Sequence, residues 1–232
     1  FESGNIHVVS ADSPQNIQLT IPTDNQTEIS QWFHFRLESE AQQAHHFEIG
    51  QLATSAYPEG WKDYDVVASY DREEWFRVDT EFDGDELKIT FTPEHAVVYF
   101  AYFAPYSYDR HLDLLASAQT SFDCRHELLG ETLDGRDISL LIVGDEYADT
   151  KPLKVWITAR QHPGESMAQW CAEGLLERLL DEDDGVAKGR PVSSHVDGGQ
   201  PGDGNSGHCG EEGIGRWSGM SICGSDGQHQ EA

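Results

Sequence analysis

His162 and Glu165 stand three residues apart in the segment Gln161-His162-Pro163-Gly164-Glu165-Ser166. A neutral imidazole and a carboxylate are two of the three protein ligands of a His₂Glu zinc site, which leaves the fourth position open to water. The spacing alone carries little weight, because His45 with Glu48 and His208 with Glu211 repeat it in a chain of 11 histidines. Context separates the three pairs. His162 follows the apolar run 153–158, broken only by Lys154, which predicts a strand covered on both faces. The Pro163-Gly164 turn can then bring imidazole and carboxylate to one side of a loop at the carboxyl edge of a sheet, where α/β proteins place their sites. A second reading is equally open on spacing alone: Glu165 is simply an acidic residue favoured by the dipole of the helix it begins.

The elements that must hold this pair can be read on either side of it. After Ser166 an amphipathic helix is predicted to about Asp181, with Met167, Trp170, Cys171, Gly174, Leu175, Leu179 and Leu180 on its apolar face and Cys171 a core residue. Before it, apolar or alternating runs at 6–9, 17–21, 31–37, 66–69, 75–78, 86–91 and 97–103 are separated by turn residues such as Asp83-Gly84. They predict short strands, and the spacing suggests an antiparallel β-sandwich over residues 1–118. His45 leads into another short strand of this region. The dense aromatics, among them Trp32, Phe33, Phe35, Trp75, Phe76 and Phe100, are expected to fill the space between the sheets. From 119 the pattern becomes α/β. A short helix is predicted at 109–117, and strands at 125–132 and 137–143 flank Asp134-Gly135, so that Asp134 and Asp137 read as turn residues.

Composition shifts once. Residues 189–232 hold 12 of the 22 glycines, and their apolar residues have neither helical nor strand period. Such a segment cannot offset its ordering entropy by burial, so a disordered or frameshift-like tail is expected, following domains at 1–118 and 119–188. In it, His208, Cys209 and Cys223 lack the Cys-x-x-Cys spacing of a metal site, and Gly213-Ile214-Gly215 lacks the preceding strand of a dinucleotide loop. The 42 Asp and Glu against 15 Lys and Arg give a net charge of -27, which repels phosphate backbones and argues against nucleic acid and anionic membrane as partners. No apolar run approaches the roughly 18 residues of a membrane span, and residues 1–10 carry no secretory leader pattern. Four scattered cysteines do not make a disulfide framework, so a soluble, cytoplasmic protein is expected.

The stretch Ala159-Arg160-Gln161-His162-Pro163-Gly164-Glu165-Ser166, with Trp170 and Gly174 beyond it, resembles the zinc-ligand loop of the zinc metallocarboxypeptidases. Ala104-Pro105-Tyr106-Ser107-Tyr108 and Leu129-Gly130-Glu131-Thr132-Leu133-Asp134-Gly135-Arg136 narrow the resemblance to the cytosolic carboxypeptidase branch, which carries a β-sandwich ahead of its α/β catalytic domain. The resemblance covers about residues 1–188. It implies an α+β protein made of that β-domain and the first part of the zinc carboxypeptidase domain. His162 and Glu165 become ligands of Zn²⁺, and the substrates become the carboxyl termini of peptides or proteins.

In the family a third ligand histidine, a substrate-binding arginine and asparagine, and a glutamate that acts as general base lie far downstream. No match to those segments follows Lys188, where His195, His208 and His229 are the histidines on offer. The catalytic glutamate is therefore unknown in this chain, which is expected to be inactive as written. The alternative is a non-catalytic β-sandwich acting as a binding or docking module.

Overall fold

The computed structural model describes residues 1–24, 27–132, 134–144, 154–181, 193–197 and 220–222. The chain divides into two compact units between Pro105 and Tyr106.

The first unit contains nine strands: β1 (His7–Ser13), β2 (Asn16–Thr20), β3 (His34–Glu38), β4 (His45–Gly50), β5 (Val66–Ser69), β6 (Phe76–Val78), β7 (Thr80–Phe82), β8 (Leu87–Phe91) and β9 (Val97–Ala101). They form a five-stranded sheet in the order β1-β2-β4-β8-β7 and a four-stranded sheet in the order β3-β9-β5-β6. Period-2 alternation decides which side chains turn inward. In β4, His45, Phe47 and Ile49 are buried while His46 and Glu48 are not. The inner residues of both sheets belong to one hydrophobic cluster, and Phe47 of the first sheet meets Phe35 and Phe100 of the second at ring separations of 5.6 and 5.3 Å. The aromatics expected inside behave accordingly, with Trp32, Phe33, Phe35 and Phe100 buried, whereas Phe76 is 38% exposed. The sheets are not wholly antiparallel. β2 and β4 pair in parallel, because the chain leaves the first sheet after β2 to form β3 in the second and returns in the same direction. At the Asp83-Gly84 turn between β7 and β8, Gly84 has φ +111°, a conformation that only glycine adopts without strain.

The second unit is built from α1 (Tyr108–Ala118), β10 (Cys124–Glu131), β11 (Asp137–Val143), β12 (Lys154–Thr158), α2 (Ser166–Leu180), β13 (Ser193–Asp197) and β14 (Met220–Ile222). α1 starts where Ser107 caps it, its Oγ accepting a 3.0 Å hydrogen bond from the Arg110 N–H. Its Leu115 and Ala118 share a core with Leu141, Val143, Ala159, Ala172 and Leu176. That packing moves the boundary to Pro105, ahead of the expected division after residue 118, because the helix belongs with the elements that follow it. β10 and β11 form the predicted hairpin, closed by a turn in which the Gly135 N–H donates to the Thr132 carbonyl at 2.9 Å.

Three expectations for this unit are corrected. β12 is not covered on both faces: Val155 and Trp156, which point to opposite sides, are 36% and 48% exposed, since the strand gains edge partners but little cover. α2 keeps only part of its predicted face: Leu175, Leu179 and Leu180 pack half-buried against the core, and Trp170 is half-buried. It buries Ala172 and Leu176 with Gln169 and Glu173, while Met167, Cys171 and Gly174 are exposed. Small Ala172 allows close approach to the sheet, and the polar pair of Gln169 and Glu173 is buried because arginines meet it. The segment 189–232 is not wholly without structure either. β13 pairs in parallel with β12 and touches β11 at Val143, and β14 pairs antiparallel with β11, because open strand edges offer unpaired backbone groups to any chain that can extend beside them. The rest of that segment, with His208, Cys209, Cys223 and His229, lies outside the described residues. No helix among the described residues is long and apolar enough to cross a membrane.

Candidate metal centre

β12 ends at Thr158, and the two residues that follow, Ala159 and Arg160, are each only 2% exposed. Arg160 has φ +54°, a left-handed conformation that is costly for a residue with a Cβ and turns the chain sharply out of the strand. The turn then closes on itself. The His162 carbonyl accepts from the Glu165 N–H at 3.1 Å, and the Glu165 carbonyl accepts from the Ala168 N–H at 2.9 Å to begin α2.

This folding brings the predicted pair together. His162 Nδ1 lies 2.9 Å from Glu165 Oε1, and the His162 backbone N–H donates to Glu165 Oε2 at 3.1 Å. Both carboxylate oxygens are thus held against one residue. The two side chains remain 63% and 44% exposed, so a dissolved ion can reach them. The other two spacings do not gain a comparable arrangement. His45 and Glu48 fall on opposite faces of β4, where His45 is buried with its Nδ1 2.8 Å from the Gln43 carbonyl and Glu48 pairs with His46 and Gln18. His208 and Glu211 lie outside the described residues.

Sequence reasoning passed over the polar groups beneath the loop. The Arg160 guanidinium turns inward, and its Nη1 donates to the Tyr106 carbonyl at 2.9 Å and to Gln169 Oε1 at 2.6 Å. Beside it, Arg110 grips Glu173 with two hydrogen bonds, one of 2.9 Å from Nε to Oε2 and a second from Nη2 to Oε1. The Arg110 guanidinium also lies 4.2 Å from the Trp170 ring centroid. Burial, reinforced by the Glu173 carboxylate, pushes the Tyr106 hydroxyl far above its ordinary value. A charged residue two positions after an apolar strand was the signal available for Arg160; Glu173 in a predicted amphipathic helix gave none.

His111, on α1, is 1% exposed. Burial lowers its pKa from 6.5 to about 4, with the charges of His126 and Arg160 adding to the effect. His34, in the first unit, is lowered to about 3 by burial and then by Arg72. Below pH 6.5 the unfolded chain takes up protons at both positions that the folded chain refuses, so stability falls as pH drops through that window. Each site is expected to contribute a loss of about 2 kcal/mol between pH 8 and pH 5. Urea unfolding at the two pH values checks this: His34→Gln should flatten the dependence by about that amount. An unchanged dependence would rule out the buried neutral imidazole as its source. Comparing variant with parent cancels the relief of charge repulsion that acidification brings to a chain of net charge -27.

Residues 1–103 match the family described as the cytosolic carboxypeptidase N-terminal domain. A metallo-carboxypeptidase from Burkholderia cenocepacia has a similar structure, with a TM-score of 0.80 and 44% identity over 85% of this chain and 53% of that one. The chain belongs to the cytosolic carboxypeptidase branch of the metallocarboxypeptidases. An uncharacterized protein of Zymomonas mobilis is 43% identical over 188 residues, which is 81% of this chain and 48% of that protein. Human cytosolic carboxypeptidase 2 is 30% identical over 211 residues, 78% of this chain and 23% of the human protein. The chain therefore spans about half the length of its bacterial relatives and less than a quarter of the human one.

Membership of a metallocarboxypeptidase family implies a metal, and the donor chemistry of the loop fits one. Imidazole nitrogen and carboxylate oxygen suit zinc, they sit side by side, and they are accessible. They offer two donor groups. Among the described residues no group of three or more His, Cys, Asp or Glu side chains is placed to hold a metal ion. His195 lies in β13 in register with Trp156 of β12.

Proposed function

We propose that the chain combines the N-terminal β-sandwich of a cytoplasmic, zinc-dependent carboxypeptidase with the opening segment of its catalytic domain. The reaction is hydrolysis of the last peptide bond of a peptide or protein. The observation that carries this reading is the contact between His162 and Glu165 at the end of β12, in a chain 44% identical to a metallo-carboxypeptidase.

Zinc, when bound there, would supply Lewis-acid polarisation of the scissile carbonyl and a bound water of lowered pKa. This chain's own residues do the holding. His162 must present a neutral ring nitrogen, and Glu165 must be ionised. The hydrogen bond from the His162 N–H to Glu165 Oε2 keeps that carboxylate turned toward the imidazole. A catalytic zinc has three protein ligands, and a base is needed to take a proton from water as the carbonyl is attacked. With two ligands and no assigned base, the chain of 232 residues is expected to bind zinc without turning over substrate. Incubation with zinc and model peptides, followed by measurement of free C-terminal amino acids, is expected to show no release above buffer. Clear turnover that disappears on His162→Ala would mean that the chain completes its own site.

A further inference from the structure

The loop that carries His162 and Glu165 faces an ordering problem. The His162 side chain is largely exposed and that of Glu165 only half-buried, so packing alone does not fix them. Their mutual hydrogen bonds tie them to each other and not to the fold. We infer that Arg160 and Gln169 form a brace that positions this pair, an inference that rests on the metal-site reading above.

The geometry is that of a clamp across the two ends of the loop. Arg160 stands two residues before His162, and Gln169 stands four residues after Glu165, one turn into α2. A 2.6 Å hydrogen bond from Arg160 Nη1 to Gln169 Oε1 joins them, and the same nitrogen reaches the Tyr106 carbonyl at 2.9 Å. Gln169 is fully buried and Arg160 is 2% exposed, so both are held by their surroundings in a medium where a charge-assisted hydrogen bond is strong. The left-handed backbone at Arg160 belongs to the same device, because it turns the strand end inward and aims the next residues outward. Outer groups that orient metal ligands typically change metal affinity 10- to 100-fold when removed. Arg160 and Gln169 touch no reacting atom and are positioning residues.

Gln169→Met removes the acceptor at nearly constant volume, while Gln169→Glu keeps it. Two readouts are taken on the full chain: zinc affinity by titration calorimetry, and hydrogen exchange of the His162 amide, which donates to Glu165. Gln169→Met is expected to weaken zinc about tenfold and to speed exchange at His162, with the β11 amides unchanged. Gln169→Glu is expected to restore both. Zinc affinity and His162 protection that survive Gln169→Met would overturn the brace. So would equal losses in both variants accompanied by faster exchange throughout β11, which would indicate general destabilisation. If the parent chain and His162→Ala bind zinc alike, it is the metal-site reading that fails, and the His162 amide still decides whether the brace exists.

Discussion

Replacing Trp61 by alanine is expected to destabilise the N-terminal unit by about 4 kcal/mol, a large share of the stability of an ordinary domain. Trp61 ends the short 3-10 turn Pro58–Trp61 and is fully buried. Its ring stacks on Phe33 at 6.3 Å and meets Tyr64 and Tyr102 at 5.5 and 4.9 Å. Its Nε1–H donates to Ser55 Oγ at 2.8 Å, and that hydroxyl in turn donates to the Leu52 carbonyl at 2.7 Å. Truncation removes an indole from between three rings and leaves a hydroxyl lone pair without its donor. A urea midpoint lower by about 2 M is expected, taking a slope near 2 kcal/mol per M. Trp61→Phe, which fills much of the space but cannot donate, should cost about half as much. A shift under about 0.5 M for the alanine variant would mean that the loop carrying Trp61 is not part of the core.

That residue also marks where sequence reading fell short. Strands β5 and β11 were legible to the residue, because alternation and apolar runs bounded by turn residues determine them directly. Trp61 lies between Pro58 and Lys62 in a segment with turn chemistry and no period, so nothing local says that the fold closes over it. The parallel pairing of β2 with β4 is a topological fact that alternation cannot express. On α2, the burial of Gln169 and Glu173 was missed for a related reason. Its hydrophobic residues lie nearly all around the helix, and the deciding contacts were Arg160 with Gln169 and Arg110 with Glu173, which pull polar positions inward. The contact between His162 and Glu165 was legible from their place after an apolar strand. Arg160 was visible in the same motif, yet spacing could not show that it turns inward.

Loss of either proposed zinc ligand is the second large effect. His162→Ala removes the imidazole and also frees Glu165 Oε1, while Glu165→Ala leaves His162 without either of its carboxylate contacts. With two proposed protein ligands among the described residues, each change takes away half of what holds the ion there, so binding is expected to fall below detection and not by a graded factor. The pair stands on the surface and contributes little to folding, so thermal unfolding without metal should stay within about 0.5 kcal/mol of the parent. Zinc present in excess should raise the midpoint of the parent chain alone, since an ion that binds only the folded state stabilises it by mass action.

A control lies in the same molecule. His46 and Glu48 also form a contact, with Nε2 3.2 Å from Oε1, but on a regular strand and without a loop folded around it. Calorimetric titration of zinc into the parent chain, His162→Ala and His46→Ala at pH 7.5 therefore tests the central claim most directly. One equivalent of zinc is expected to be bound by the parent and by His46→Ala and none above background by His162→Ala. Zinc binding that survives His162→Ala, or that is lost with His46→Ala, would contradict that claim.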